Sequence, residues 1–292
     1  MLTPQQLDEF QRLGIVRAPA AISAGVAAAM CDSVWDMMSR RYKIRRDHPA
    51  TWKAQRIAGT KDRPKAITLE QVMSPLRAIL NQLLTPSEWE CDNHWGSLLV
   101  SFPGAVPVAP QGWDVPHTGW HFDAPVVRAL PELYGVRIFT CLAQLPRHGG
   151  ATLAVAGSPQ LAQALASARG MAKLRSADIR KGLSHRYDWI NDLCTFDTAI
   201  DRVDRFMKAT SRLENIEVRV VEMTGEPGDV YLVHPLMMHA QSPNCLAMPR
   251  IVLSSTVYRR GVDWGVLYGL EGEAAAQWNF ILRPSRANFF MF

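Results

Sequence analysis

Apolar residues in the first third of the chain recur every three to four positions, which is the pattern of amphipathic helices. A capping-box sequence starts at Thr3, with proline at the next position, and Gly14 stands where this first helix is expected to end. The same periodicity predicts further helices over about residues 23–40 and 68–84. We therefore expect residues 1–94 to form a mainly helical layer that packs on a sheet.

Beyond residue 95 the pattern changes to short runs of β-forming residues separated by turn residues. These runs predict strands at about residues 97–102, 119–123, 136–143, 152–156, 216–221, 229–233, 237–241 and 250–258. Such a set is typical of a double-stranded β-helix, the jelly-roll or cupin-like barrel, whose interior holds one small ligand. The sequence thus predicts a mainly β fold with flanking helices. We expect a single domain, with a jelly-roll core over residues 95–260 and a C-terminal extension over residues 261–292.

Between residues 159 and 215 the predicted strands are interrupted by sequence with helical periodicity. This insertion is longer than a turn requires, and long connections in compact domains are commonly lids or binding loops. Two interpretations stay open: a flanking helical layer, or a lid that covers the barrel mouth and contributes to substrate choice. In the second interpretation Tyr187 and Trp189 are the candidate substrate contacts.

Composition indicates what class of protein this is and leaves the predicted fold unchanged. Of the 292 residues, 48% are hydrophobic and 20% are charged, which suffices for a substantial core. The net charge is +5, and the basic cluster at residues 40–46 is interpreted as a solvated helix end, so no nucleic-acid partner is expected.

The five cysteines are widely spaced without a CxxC motif, which is typical of reduced thiols. With no signal-peptide pattern and no apolar run long enough to cross a bilayer, we expect a cytoplasmic protein with no membrane partner.

The first candidate for chemistry is the motif His121-Phe122-Asp123. In an extended strand, side chains two positions apart point to the same face, so His121 and Asp123 converge while Trp120 and Phe122 point away. One imidazole and one carboxylate make up two thirds of the facial triad of non-haem Fe(II) oxygenases, a site that leaves metal positions open for co-substrate and O₂. The motif alone is weak evidence for a metal site, because it is short and a histidine beside an aspartate is often only a hydrogen-bonded pair.

A second stretch far downstream offers the missing third ligand and a cation. It contains His234 and His239, and Arg250 follows His239 by eleven positions. The two histidines are an odd number of positions apart and Pro235 interrupts the run, so only one of them is expected to face the metal. Arginine suits a carboxylate because its planar guanidinium donates two parallel charge-assisted hydrogen bonds.

Three pieces of the chain together resemble the phytanoyl-CoA dioxygenase family of Fe(II)/2-oxoglutarate oxygenases. They are Trp120-His121-Phe122-Asp123, the run Gly149-Gly150-Ala151-Thr152-Leu153-Ala154-Val155-Ala156-Gly157-Ser158, and residues 228–239 followed by Asn244 and Arg250. The resemblance covers roughly residues 95 to 260. One departure is Pro159, where members of the family often carry histidine after Gly-Ser.

The resemblance implies a role for four residues. His121, Asp123 and His239 would bind iron, and Arg250 would bind the far carboxylate of 2-oxoglutarate. The spacing to Arg250 in the family selects His239 over His234, which is then expected to be a packed or hydrogen-bonded neighbour.

The resemblance also implies the activity. The expected reaction is oxidation, by default hydroxylation, of a small organic molecule or secondary metabolite, with O₂ consumed and succinate and CO₂ released. Desaturation, epoxidation and ring formation use the same metal ligands and stay open. Two other readings also stay open: a cupin-like metalloenzyme that does not use 2-oxoglutarate, with Arg250 as a structural ion-pair partner, and a non-catalytic jelly-roll binding protein.

Four further residues are weaker candidates. Thr140 and Thr152 lie on predicted inner strands and could donate a hydroxyl to 2-oxoglutarate, although threonine is also a common strand residue. His117, four positions before His121, could contact a metal ligand or the substrate, or could be an ordinary loop residue. Trp113 could shape a substrate pocket or belong to the core.

Overall fold

The computed structural model describes residues 1–53, 56–58, 69–84, 89–91, 96–110, 112–123, 133–169 and 175–262. The helices in this part are α1 (Pro4–Leu13), α2 (Ala24–Tyr42), α3 (Leu69–Leu83), α4 (Ser158–Arg169), α5 (Ser176–Arg186) and α6 (Asp188–Cys194). The strands are β1 (Ile15–Ala18), β2 (Arg56–Ala58), β3 (Trp89–Cys91), β4 (Ser97–Ser101), β5 (Gly135–Cys141), β6 (Thr152–Ala156), β7 (Ser211–Leu213), β8 (Ile216–Glu222), β9 (Val230–Val233), β10 (His239–Gln241) and β11 (Arg250–Arg259). Nearly all of the predicted C-terminal extension lies outside the described residues.

Two antiparallel sheets form the core. The larger sheet has the strand order β1-β9-β5-β11-β4-β2, with β3 also paired to β11, and the smaller sheet has the order β10-β6-β8-β7. Apolar side chains of the larger sheet, among them Phe139, Tyr231 and Val252, pack between the sheets against Ala154 and Met223. This architecture, with helices on its outer faces, confirms the predicted mainly β, jelly-roll fold.

The N-terminal helices cover the outer face of the larger sheet. Residues of α2 and α3 such as Met38 and Leu80 share a buried cluster with Ile138 of β5 and Leu253 of β11. The capping box at the start of α1 is formed as expected, since Thr3 and Gln6 bond each other's backbone N–H through their side chains. The division of the chain into one domain with three parts stays a prediction.

The insertion packs on the outer face of the smaller sheet. Helices α4, α5 and α6 bury apolar side chains against Val155 and Val220, and the same cluster contains Trp120 and Phe122. The insertion is therefore in contact with the residues that flank His121. No helix in the described ranges is both long and apolar enough to cross a membrane.

Residues 119–123, predicted as a strand, make only an isolated bridge between His121 and His239. The reason is local, because Gly119 adopts a positive φ of 80°, which breaks an extended run, and Asp123 lies in a bend. Strands β1, β2, β3 and β7, each of three or four residues, were not predicted, because they are too short for a local pattern, and β1, β2 and β3 are held by pairing with strands distant in the sequence.

Candidate metal centre

The structure brings His121, Asp123 and His239 together, with their possible ligand atoms all within 4.8 Å of one another. His121 Nε2 lies 3.3 Å from Asp123 Oδ1, and His239 Nε2 lies 3.2 Å from Asp123 Oδ2. Adjacent ligand atoms of a metal ion with bonds near 2.1 Å are separated by about 3 Å. The three side chains thus have the chemistry and the spacing of a facial metal site.

Backbone pairing fixes the two histidines relative to each other. His121 N donates to His239 O and His239 N donates to His121 O, both at 3.0 Å, so two segments far apart in sequence lie side by side. His239 begins β10 and pairs with Ala154 of β6, which anchors this arrangement in the smaller sheet. The ring centroids of the two histidines are 4.3 Å apart.

Both histidines are held in the tautomer that suits a metal ligand. His121 Nδ1 lies 2.8 Å from Gly119 O, and His239 Nδ1 lies 3.0 Å from Met237 O. Because a carbonyl oxygen only accepts hydrogen bonds, each Nδ1 must carry the proton, and each Nε2 keeps its lone pair toward Asp123. The His121 side chain is half-exposed, and partial loss of hydration lowers its pKa, whereas burial holds the pKa of His239 well below its usual value. Both are therefore neutral near pH 7, as metal binding requires.

Arg137 is a residue of this site that the sequence reasoning missed. It lies on β5, and its Nη1 forms an ion pair with Asp123 Oδ2. Its Nε donates to Ser254 Oγ at 3.2 Å, and its guanidinium lies 5.5 Å from the centre of the Phe139 ring. A signal was available, because Arg137 is a single charged residue in a strand that otherwise consists of uncharged, mostly buried residues.

Arg250, at the start of β11, is only 4% exposed. Its Nη1 donates to Gly150 O at 3.3 Å and its Nη2 donates to Thr152 Oγ1 at 3.1 Å. Its Nε has no hydrogen-bond partner, and within the described part of the chain no carboxylate pairs with it. Burial lowers its pKa to about 10. A buried, unpaired cation is costly, so this site is suited to a carboxylate-bearing ligand.

The two candidate threonines lie in different places. Thr152 contacts Arg250 and, through the pairing of β6 with β10, shares a face with His239. Thr140 is buried between Phe139 and Cys141, whose side chains point between the sheets, so alternation directs its own side chain to the opposite face. This orientation disfavours contact between Thr140 and the co-substrate, which stays a prediction.

His234 is not brought into the group. It is partly buried, its Nδ1 accepts a hydrogen bond from Leu236 N at 3.0 Å, and loss of hydration lowers its pKa to about 4. The structure therefore places His239, and not His234, beside Asp123.

The other two aromatic candidates, Trp113 and His117, are partly buried, and each contacts another ring. Trp113 stacks on His148 with ring centroids 4.3 Å apart, and His117 contacts the exposed Phe196 with centroids 5.0 Å apart. Substrate contact by Trp113 or His117 stays a prediction.

Tyr187 and Trp189 are buried within the insertion. The Tyr187 hydroxyl donates to Glu214 Oε1 at 2.8 Å, and the Trp189 ring packs edge-on against Phe206 at 5.0 Å. Their role in substrate choice also stays a prediction, although neither presents an exposed face.

A second missed residue, Arg202, ties the insertion to the segment that precedes His121. Its guanidinium donates to the carbonyl oxygens of Val115, Pro116, Asp192, Leu193 and Thr195. We call this arrangement the Arg202 clip. The insertion also contacts the metal motif directly, because Phe122 N donates to Ser176 Oγ at 2.8 Å.

Comparison with known proteins supports the fold. No protein-family model matches the sequence, and no curated protein matches it either. Among solved structures, the fold is similar to that of the non-heme alpha ketoglutarate dependent carbocyclase SnoK from nogalamycin biosynthesis, with a TM-score of 0.50 and 16% identity over 93% of this chain and 94% of that one. EvdMO1 aligns with the same TM-score and identity over 87% of this chain and 49% of that one. At this level of identity, the similarity to SnoK shows a shared fold.

Proposed function

We propose that this protein is an Fe(II)/2-oxoglutarate-dependent oxygenase that acts on a small organic molecule. The observation that carries the proposal is the joint presence of two features between the sheets. One is the His121, Asp123 and His239 group, and the other is the buried Arg250 with no carboxylate partner among the described residues.

Each of these residues has a distinct task in the proposal. His121, Asp123 and His239 would hold the iron, and Arg250 would bind the distal carboxylate of 2-oxoglutarate, with the Thr152 hydroxyl beside it. When bound, iron with 2-oxoglutarate and O₂ supplies the oxidation of a C–H bond. The sheets around Arg250 exclude water, which strengthens its interaction with a carboxylate.

The comparisons support the cofactors and the class of substrate. SnoK is described as alpha ketoglutarate dependent and belongs to nogalamycin biosynthesis, so we propose a secondary metabolite as the substrate. Hydroxylation is the proposed outcome, because it requires no special geometry beyond the metal ligands. Ring formation is the second candidate, since SnoK is a carbocyclase. Membership of the phytanoyl-CoA dioxygenase family is part of this proposal and rests on the motif resemblance.

The two alternative hypotheses require a different role for Arg250. In a cupin-like enzyme without 2-oxoglutarate, or in a non-catalytic binding protein, Arg250 would be a structural ion-pair residue. Its contacts in the described part of the chain are a carbonyl and a hydroxyl, neither of which balances its charge. This disfavours both readings.

The test is a direct assay of co-substrate turnover. The purified protein is supplied with Fe(II) and 2-oxoglutarate, and succinate is measured while small molecules are screened for stimulation. Stimulated turnover should be lost in Asp123→Ala, with Asp197→Ala, on the exposed surface of the insertion, as the matched control. The mass of the product then separates hydroxylation, which adds one oxygen atom, from ring formation, which removes two hydrogen atoms. A protein that fails to bind 2-oxoglutarate in the presence of a divalent metal would contradict the proposal.

A further inference from the structure

The charges around the candidate metal centre are unbalanced among the described residues. Arg137 forms an ion pair with Asp123 Oδ2, and the buried Arg250 contacts Thr152, which lies on the same sheet face as His239. Asp123 is the carboxylate in the group. A divalent cation must therefore bind next to positive charge.

Arg137 is the cation closest to the ligands, and it is held in place. It contacts Asp123 at Oδ2, the oxygen that also lies 3.2 Å from His239 Nε2. The hydrogen bond to Ser254 and the contact with the Phe139 ring restrain its guanidinium, and its side chain is only 19% exposed. These contacts hold the Arg137 guanidinium beside Asp123.

The charge balance changes with each ligand. Asp123, Arg137 and Arg250 together carry a net charge of plus one. A divalent ion raises this charge to plus three, and a 2-oxoglutarate dianion returns it to plus one. Because charges in a partly buried site interact strongly, the metal and the dianion should each favour the binding of the other.

We propose that Arg137 is a fixed counter-ion of Asp123 that weakens the binding of a bare divalent metal and makes tight metal binding depend on 2-oxoglutarate. The inference rests on the proposed function. It assigns Arg137 a positioning and regulatory role rather than direct contact with reacting atoms. Metal bound without co-substrate would otherwise be available for unproductive reaction with O₂, so this dependence protects the site.

The alternative role for Arg137 is simple orientation of Asp123. Residues that orient a metal ligand typically contribute about 10-fold to 100-fold to metal affinity, so their removal weakens metal binding. Removal of a competing counter-ion has the opposite effect on the bare metal. The sign of the change therefore distinguishes the two roles.

The experiment measures metal binding without turnover. Metal-free protein is titrated with Mn(II), with and without saturating 2-oxoglutarate under anaerobic conditions, and free Mn(II) is followed by electron paramagnetic resonance. The readout is the ratio of the Mn(II) dissociation constants without and with 2-oxoglutarate. For the unsubstituted protein we expect a ratio of about 10 or more, within the usual range for coupled sites.

Three variants complete the design. Arg137→Met, which removes the charge but keeps an unbranched side chain, should bind bare Mn(II) more tightly and lower the ratio several-fold. Arg137→Lys keeps the charge and should keep most of the ratio. Arg212→Met, at an exposed position of β7, removes an arginine away from the site and should leave the ratio unchanged.

The possible failures are distinguishable. An unsubstituted protein that binds no divalent metal contradicts the proposed function and this inference together. A protein that binds Mn(II) equally well with and without 2-oxoglutarate overturns only the inference. Weaker binding of bare Mn(II) by Arg137→Met also overturns it, and shows that Arg137 orients Asp123. If Arg137→Met does not fold, Arg137→Gln, which also removes the charge, is used in its place, and the sign of its effect on the binding of bare Mn(II) decides.

Discussion

Arg202 and Arg250 are buried to the same extent, each 4% exposed, but their surroundings differ. In the Arg202 clip all three guanidinium nitrogens donate to backbone carbonyls of the insertion and of the segment before His121. Among the described residues, Arg250 bonds one carbonyl and one hydroxyl, and its Nε has no hydrogen-bond partner. A buried cation whose donors are all used within the protein stabilises the fold, whereas one with donors left over is suited to a ligand.

The same contrast holds for the two downstream histidines. His234 uses its Nδ1 lone pair within the protein, as the acceptor for Leu236 N. His239 uses its Nδ1 proton on Met237 O and directs Nε2 toward Asp123. Burial alone does not separate structural from functional groups, because both histidines are largely buried.

The largest expected effect comes from the histidine pair. His239→Ala should abolish Mn(II) binding and succinate formation, because it removes a metal ligand. His234→Ala should keep measurable metal binding and activity, because that imidazole is used only inside the fold. Metal titration and the succinate assay on both variants check this. The reverse pattern would assign the third metal position to His234.

The next effect concerns co-substrate binding. Arg250→Leu should weaken 2-oxoglutarate binding by about 2–5 kcal/mol, since the distal carboxylate loses its charge partner in a buried site. The affinity for Mn(II) alone should not fall, and the free energy of unfolding should be unchanged or higher, because an unbalanced buried charge is removed. The measurements are the 2-oxoglutarate dissociation constant and a urea titration.

Arg250→Lys serves as the control for charge. It keeps a cation but lacks the planar, two-pronged donor, so an intermediate loss of 2-oxoglutarate affinity is expected. Unchanged 2-oxoglutarate binding by Arg250→Leu would show that another residue binds the carboxylate. Arg250 and Arg202 would then no longer differ in function.

The third effect is on stability. Arg202→Met should lower the free energy of unfolding by about 3 kcal/mol or more, because each buried acceptor left without a donor costs about 1–3 kcal/mol. Urea unfolding measures this change, and Arg205→Met, at a more exposed arginine of the same segment, is the matched control. A stable Arg202→Met variant would show that solvent replaces the guanidinium in the clip.

The sequence pattern was sufficient where local interactions decide the structure. The capping box at Thr3, the end of α1 at Gly14 and the long strands β5 and β11 lie within a few residues of their predicted positions. The His121 and Asp123 pair was also predicted, although the strand assumed for it is only a bridge, since a bend at Asp123 still brings both side chains together.

The rest depended on contacts between distant residues. Arg202 bonds Val115, 87 positions earlier, and Arg137 bonds Ser254, 117 positions later, so no local pattern indicates what these arginines bind. The face on which Thr140 lies could not be predicted, because its strand is buried on both faces and shows no alternation. Whether a buried polar group is satisfied inside the fold is a property of the packed structure.

The smallest predicted effect tests the insertion. Tyr187 has its hydroxyl partner inside the insertion, at Glu214, and Glu214 also accepts from Arg186 at 2.8 Å, so Tyr187→Phe should lower stability by only about 0.5–1.5 kcal/mol. Turnover of 2-oxoglutarate without substrate should not change, because Tyr187 belongs to the packing of the insertion. The informative quantity is the ratio of succinate to oxidised product. A changed ratio at unchanged basal turnover supports a lid. Its effect would reach His121 and Asp123 through the contacts made by Ser176 and the Arg202 clip. A small loss of stability with an unchanged ratio supports a flanking helical layer.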